Sequence, residues 1–278
     1  MSTVTDYLLG HDTNELARLE HQARMLAPAT GAILTLAGIE PGMRVLDLGT
    51  GAGDVAFQVA ELVGPGGSVV GIDQSVTALT FAAHRAEQRG LTNVSFIRDD
   101  LHTVLPADEF DAVVGRLVLL YLPDPADVVR RFAGLLRPGG VVAVMEYEMF
   151  AAGTLPPTDL SERVVFWVTE AFRRSGLDPS LGVRLDDVLR RAGLGDVSML
   201  GIQGYRPPGD RAGAALAAGI VRTLLPAIEK TGIATADEID LGTLEDRFAL
   251  DSAEHGAIFK PPTLVGAWAR VGQRNQGE

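Results

Sequence analysis

The run Val45-Leu46-Asp47-Leu48-Gly49-Thr50-Gly51-Ala52-Gly53-Asp54 constrains the fold more than any other stretch of the chain. Val45, Leu46 and Leu48 are apolar at successive positions, the pattern of a parallel strand covered on both faces. Gly49, Gly51 and Gly53 then allow a sharp turn and let a ligand approach bare backbone. From Asp54 to about Leu62 the pattern is helical, and the first N–H groups of such a helix lack intrahelical partners. Strand, glycine turn and helix in that order predict an α/β fold with a nucleotide-like ligand at the turn.

The spacing narrows the ligand. A dinucleotide fingerprint places glycines as G-x-G-x-x-G. Here the third glycine comes one residue early, at Gly53, and Asp54 fills the expected glycine position. Asp47, at the strand end, would repel a pyrophosphate and suits a ligand that is cationic or donates hydrogen bonds. This D-x-G-x-G-x-G arrangement resembles motif I of the class I S-adenosylmethionine (SAM) dependent methyltransferases. An NAD-dependent oxidoreductase is the competing reading, which Asp47 and Asp54 disfavour.

Composition sets outer bounds. At 278 residues the chain is long enough for one large α/β domain with an accessory region. A formal charge of −12 and a pI near 4.9 disfavour nucleic acid and anionic membrane surfaces as partners. The absence of cysteine excludes disulfides, thiolate metal sites and a cysteine nucleophile. No apolar run of roughly 20 residues is evident, so no membrane insertion is expected. The N-terminal stretch has no secretory pattern, and a cytoplasmic protein, monomer or homodimer, is the default expectation.

Along the chain, two helices are expected before the first strand, Glu15 to Ala27 and about Ala29 to Ala37. Helices there often cover the cofactor in folds of this kind, which makes Tyr7, His11, Arg18 and Gln22 candidates to face it or the substrate. Ser68–Ile72 reads as the second strand, and Asp73 at its end is placed to accept hydrogen bonds from ribose hydroxyls, with Gln74 next to it; capping the following helix is the alternative for Asp73. A helix Val76–Arg89 and a strand Val94–Ile97 follow. In the resembled family the acidic residue after that strand holds the adenine amino group, which implicates Asp99, Asp100 and Leu101. Phe110–Gly115 reads as the fourth strand, with Asp111 at its structural end. Arg116 and Leu117 stand at its carboxyl end, where open α/β sheets bind ligands, and Tyr121 is a candidate pocket wall. The helix opened by Asp124 and Pro125 is expected to run to Leu136, before a strand Val141–Met145. Glu146, Tyr147 and Glu148 then offer two carboxylates and a phenol; a buried glutamate here could serve as general base.

Past residue 150 the pattern predicts helices at Ser161–Arg174, Leu185–Ala192, Arg211–Glu229 and Leu244–Leu250, and strands at Val197–Ile202 and Thr263–Val271. The resemblance implies an α/β, Rossmann-like class I methyltransferase fold with a seven-stranded, mostly parallel sheet. The implied layout is an N-terminal helical cap over residues 1–40, a SAM-binding core over 41–150, and a remainder over 151–278. The remainder carries a helical insertion, about 205–260, expected to shape the substrate pocket. Trp167, Phe172, Tyr205, Arg222 and Phe259 are candidate substrate contacts, and His11, Glu146, Glu148 and His255 candidate proton acceptors. No clustered metal-ligand set is visible. The resemblance implies methyl transfer from SAM, leaving S-adenosylhomocysteine, to a small-molecule acceptor such as a secondary metabolite or quinone-like compound. The alternative within the same fold is SAM-assisted cyclisation or decarboxylation.

Overall fold

The computed structural model describes residues 13–104, 106 and 109–272. In chain order they form helix α1 (Thr13–Leu36), strand β1 (Arg44–Leu48), α2 (Asp54–Val63), β2 (Ser68–Asp73), α3 (Val76–Gln88), β3 (Val94–Arg98), β4 (Phe110–Arg116), α4 (Pro125–Ala133) and β5 (Leu136–Glu148). β6 (Gly153–Leu155), α5 (Asp159–Arg174), α6 (Leu185–Arg191), β7 (Ser198–Ile202), α7 (Arg211–Lys230), α8 (Ala236–Ile239), α9 (Leu244–Glu254), β8 (Ile258–Lys260) and β9 (Thr263–Arg270) follow.

The chain divides into two compact units. One consists of the described parts of His11–Glu146, Arg184–Leu200 and Val265–Glu278, and it contains nearly all of a seven-stranded sheet of order β3-β2-β1-β4-β5-β9-β7. β1 pairs in parallel with β2 on one side and β4 on the other, and β2–β3 and β4–β5 are also parallel. The strand order therefore reverses at β1 and β4, and open α/β sheets place their ligands at the carboxyl ends of the strands flanking such a point. The core of this unit follows from the apolar runs: Leu46, Leu48, Ile72, Phe110 and Met145 in the strands, and Phe57 and Phe132 in α2 and α4, are fully buried.

The second unit consists of Tyr147–Val183 and Gly201–Leu264. α7 packs against α5 and α9, and β6 pairs antiparallel with β8. Ala214, Ala217, Ala218, Val221, Leu224 and Ile228 form the buried stripe of α7. By length and composition α7 passes as a helix able to cross a membrane, with a mean hydropathy of 1.4, contrary to the expectation that no such stretch exists. Its apolar face is occupied within the unit.

Helix starts follow local chemistry. Ser75 accepts from the Ala78 amide, Asp124 from Asp127 with Pro125 at the first helical position, and Asp210 from Gly213. Thr158 and Ser161 cap α5 reciprocally. Three expectations need correction. The two N-terminal helices are one continuous helix, with Pro28 inside it; a proline removes one hydrogen bond without always ending a helix. The helix after Asp124 stops at Ala133, and Leu136 already belongs to β5, paired with Phe110 through an irregular register. α8 and the β6–β8 pair were not evident in the sequence pattern.

Candidate functional site

The glycine turn takes the shape its sequence requires. Gly49, Gly51 and Gly53 have φ of 62°, 52° and 86°, all left-handed. At Gly49 an added Cβ would lie 2.3 Å from Val118 Cγ2, so no other residue fits without displacing the segment after β4. A Cβ at Gly51 would meet only the Gly49 carbonyl, at 4.0 Å, which leaves the tip of the turn open.

Two carboxylates end the strands beside this turn. Asp73, closing β2, accepts from the Gly51 amide (2.9 Å) with Oδ2 and from the Ser75 amide (2.9 Å) with Oδ1. It thus ties β2 to the glycine turn, while Ser75 is the residue whose side chain caps α3. A carboxylate has about four acceptor positions, so lone pairs remain for further donors. Asp47 in β1 is almost wholly buried, and its Oδ2, with Thr50 Oγ1, has no hydrogen-bond partner among the described residues. Burial pushes the Asp47 carboxyl up to about 7, opposed by the Thr50 hydroxyl, which lies near it but outside hydrogen-bond geometry, and by the Arg116 guanidinium, and helped by the charge of Asp73. Buried polar atoms of native proteins are normally paired, and those left over mark places where a partner belongs.

After β3, the Asp99 amide donates to the Asp73 carbonyl (3.0 Å), which brings this segment beside the end of β2. Asp99 Oδ1 accepts from the Asp100 amide, and Asp100 Oδ1 from the His102 amide. Leu101 is buried and Asp100 exposed. Gln74 is exposed, its carbonyl accepting weakly from Arg98.

After β4, Arg116 donates to Thr30 Oγ1 in α1 (2.8 Å). Leu117 is a non-glycine residue with φ of 56°, and its amide donates to the Met145 carbonyl (2.8 Å). A 3-10 turn over Leu119–Tyr121 follows, half-burying Tyr121. Glu146, at the end of β5, is 1% exposed; its Oε1 accepts from the Leu119 amide (2.7 Å) and the Leu120 amide (3.3 Å). Burial raises its carboxyl to about 8, more than these amides lower it. At the opposite end of β4, Asp111 accepts from the Arg44 amide and the Arg137 guanidinium, which fits its structural reading.

The sheet unit thus brings Asp47, Gly49, Thr50, Gly51, Gly53, Asp73, Asp99 and Leu117 to one end of the four neighbouring strands β3, β2, β1 and β4. It also contains two residues that sequence reasoning missed. Arg85, in α3, donates to the Ala52 carbonyl (2.6 Å) and to Asp54 Oδ1 (2.7 Å), and lies over the rings of Phe57 and Phe81. This pairing accounts for the acidic residue where a dinucleotide fold has glycine. The available signal was an arginine on the apolar stripe Ala78–Ala82–Arg85. Arg131, in α4, donates to the carbonyls of Leu101, His102 and Val104 and so fixes the segment after β3. No local pattern announces it.

The helical unit does not gather its candidates in the same way. Trp167 is buried with Arg163 over its ring, Tyr205 is 65% exposed, and Arg222 is exposed on α7. Phe259 is buried edge-on to Phe248, with ring centroids 5.2 Å apart. Phe248 and Phe259 line a small apolar cleft, partly open to solvent, with Val164, Val168 and Ile220. Trp167, Tyr205 and Arg222 do not line it. His255 closes the end of α9, its Nδ1 2.8 Å from the Asp251 carbonyl. Glu148 Oε1 accepts from the Phe150 amide and lies 3.4 Å from Ser180 Oγ, while its Oε2 is buried without a partner among the described residues. Tyr147 is half-buried. Tyr7 and His11 lie outside the described residues, as do the side chains of Arg18 and Gln22. Among the described residues no group of three or more His, Cys, Asp or Glu is arranged to hold a metal.

Comparison with known proteins bears on the fold and the kind of domain. A family described as a methyltransferase domain matches residues 39–167. Nocamycin O-methyltransferase from Saccharothrix syringae is 34% identical over 199 residues, covering 70% of this chain and 65% of that protein. An aklanonic acid methyltransferase from Streptomyces sp. (strain C5) is 40% identical over 116 residues, covering 41% of this chain and 52% of that protein. The chain therefore spans between about half and two thirds of the length of these relatives. Among solved structures, a phosphoethanolamine N-methyltransferase from Haemonchus contortus superposes with a TM-score of 0.54 at 20% identity, covering 89% of this chain and 53% of that one. The YcgJ protein of Bacillus subtilis does so at 0.53 and 19% identity, covering 88% and 100%. At such identities these structures show the shared fold.

Proposed function

We propose that this chain is a class I SAM-dependent methyltransferase of small-molecule type, a reading supported by the methyltransferase-domain match over residues 39–167 and by its O-methyltransferase relative, and that it transfers the methyl group of SAM to a small natural product. The observation that carries the proposal is the site at the ends of β1 and β2. There an open glycine turn adjoins Asp73, which has acceptor capacity to spare, and the unpartnered buried pair Asp47 Oδ2 and Thr50 Oγ1. These residues fit SAM. Asp73 would take its ribose hydroxyls, the segment Asp99–Leu101 its adenine, and the backbone of Gly49–Gly51 with Asp47 the cationic methionine end. A carboxylate beside the turn suits a sulfonium and an ammonium, and it disfavours the pyrophosphate of a dinucleotide.

When bound, SAM supplies a methyl group already activated by sulfonium charge. The protein's own work is then orientation and exclusion of water. Arg85 and Asp73 hold the glycine turn from two sides, and Arg131 holds the adenine segment. Burial alone favours the neutral Asp47 carboxyl, and a cation held beside it would favour the carboxylate instead. Where the acceptor must lose a proton, Glu148 is a candidate in the helical unit, because its buried Oε2 has no hydrogen-bond partner among the described residues. Oxygen is the accepting atom this reading favours, since a relative matched over 199 residues is named as an O-methyltransferase.

The test is turnover. Purified protein incubated with SAM and a panel of phenolic, carboxylic and quinone-like acceptors should release S-adenosylhomocysteine together with a product heavier by one methyl group, both read by mass spectrometry. Product heavier by a methyl on nitrogen or carbon would move the accepting atom. Conversion of an acceptor with no consumption of SAM would overturn methyl transfer.

A further inference from the structure

Glu146 is the buried ionisable group that the proposed chemistry leaves unused. It sits at the last buried position of β5, on the same edge of the sheet as the glycine turn. Its Oε1 accepts two successive backbone amides, those of Leu119 and Leu120. One residue earlier in β5, the Met145 carbonyl accepts from the Leu117 amide. The end of β5 therefore grips the segment after β4 on both sides of Val118. That segment needs gripping, because Leu117 is held in the left-handed region, where a residue with a Cβ persists only if its surroundings enforce it.

Val118 is what the grip positions. Its two methyl groups lie against backbone on both sides. A Cβ built on Gly49 would stand 2.3 Å from Val118 Cγ2, and one built on Gly115 would stand 3.2 Å from Cγ1. The isopropyl group thus rests on the first glycine of the cofactor turn. Moving the segment after β4 outward would open a gap there, and moving it inward would collide with Gly49.

We infer that Glu146 is a positioning residue, which through the Leu119 and Leu120 amides sets Val118 against Gly49 and so fixes one wall of the cofactor cleft. The inference rests on the SAM reading of that cleft. Glu146 does not act on the acceptor in this account, since its carboxyl is enclosed within the sheet unit and its Oε1 already serves two donors. Burial favours the neutral carboxyl, and the carbonyl oxygen of a neutral carboxyl accepts amides as an amide oxygen does. Glutamine is therefore the conservative replacement, and leucine, of similar size and without an acceptor, is the disruptive one.

The experiment is calorimetric titration of S-adenosylhomocysteine into the whole protein and three variants, with melting temperature and circular dichroism on each. Glu146→Gln is expected to bind within about threefold of the wild type, because its amide oxygen still accepts both N–H groups. Glu146→Leu leaves two buried amides unpaired and is expected to bind about tenfold or more weakly while remaining folded. Val118→Ala keeps the Glu146 contacts and removes the wall itself, and is expected to bind about three- to tenfold more weakly. If Glu146→Leu does not fold, Val118→Ala and Glu146→Gln decide alone. Wild-type affinity in Val118→Ala, or in folded Glu146→Leu, overturns the inference while leaving the cofactor reading intact. Failure of the wild-type protein to bind S-adenosylhomocysteine overturns the cofactor reading, and this inference with it.

Discussion

The sheet unit and the helical unit place their chemistry differently. In the sheet unit, side chains distant in sequence converge on backbone. Asp73 accepts from the Gly51 amide, Arg85 donates to the Ala52 carbonyl, Arg131 to Leu101 and Glu146 accepts from Leu119. Each of these bonds fixes the course of a loop at the carboxyl end of the strands. In the helical unit, the aromatic and charged candidates are isolated from one another. Trp167 and Phe259 are core, while Tyr205 and Arg222 are exposed. Its longest helix is rich in alanine, with Ala214, Ala217 and Ala218 on the buried side. Under the proposed function, the sheet unit would hold the cofactor by backbone geometry and the helical unit would present apolar surface to an acceptor.

The largest expected effect is one of stability without affinity. Phe259→Ala removes an aromatic core partner of Phe248 and should cost about 3–5 kcal/mol of folding free energy, measured by denaturant titration. Because Phe259 belongs to the helical unit, S-adenosylhomocysteine affinity at a temperature where the variant is folded should be unchanged. A matching loss of affinity would erase the distinction between the units.

Asp73→Ala should do the reverse. Losing charge-assisted acceptors costs about 1.5–3 kcal/mol of binding, or roughly ten- to a hundredfold in the dissociation constant of SAM. An unchanged constant by calorimetry would remove Asp73 from the ribose role and leave it only its bonds to Gly51 and Ser75.

The smallest effect is a pH dependence confined to the sheet unit. Burial raises Glu146 from 4.5 to about 8 and Asp47 from 3.8 to about 7. Both folded-state values lie above the unfolded ones, so the folded chain keeps protons that the unfolded chain releases. Their contribution to stability is complete below pH 4 and is lost as the pH rises through 7 to 8. Asp47 faces Arg116 and Asp73, whereas Glu146 faces the backbone amides of Val118, Leu119 and Leu120. The melting temperature of the wild type relative to Glu146→Gln should therefore fall as pH is raised from 5 to 8.5, by several degrees on the scale of about 2 °C per kcal/mol. A constant difference between the two proteins across that range would show that Glu146 does not titrate there.

How much of this was legible in the sequence divides along the same line. The glycine spacing, the acidic residue ending β2 and the structural place of Asp111 are local patterns, and each follows from backbone geometry within a few residues. Arg85, Arg131 and the grip of Glu146 depend on pairing across 27 to 33 residues, which periodicity does not encode. The two helices expected before β1 are joined through Pro28 in α1. A proline at that position removes one amide donor, and the flanking residues of α1 supplied enough helix to run through it. The substrate candidates of the helical unit were chosen by residue type alone, and residue type does not separate a core tryptophan such as Trp167 from a contact.

The central claim is that the cleft at the ends of β1 and β2 holds an adenosyl sulfonium. The most direct measurement is parallel calorimetric titration of the full chain with SAM and with NADH. The account predicts saturable binding of SAM at one site per chain and no heat from NADH. Binding of NADH with no binding of SAM would contradict it.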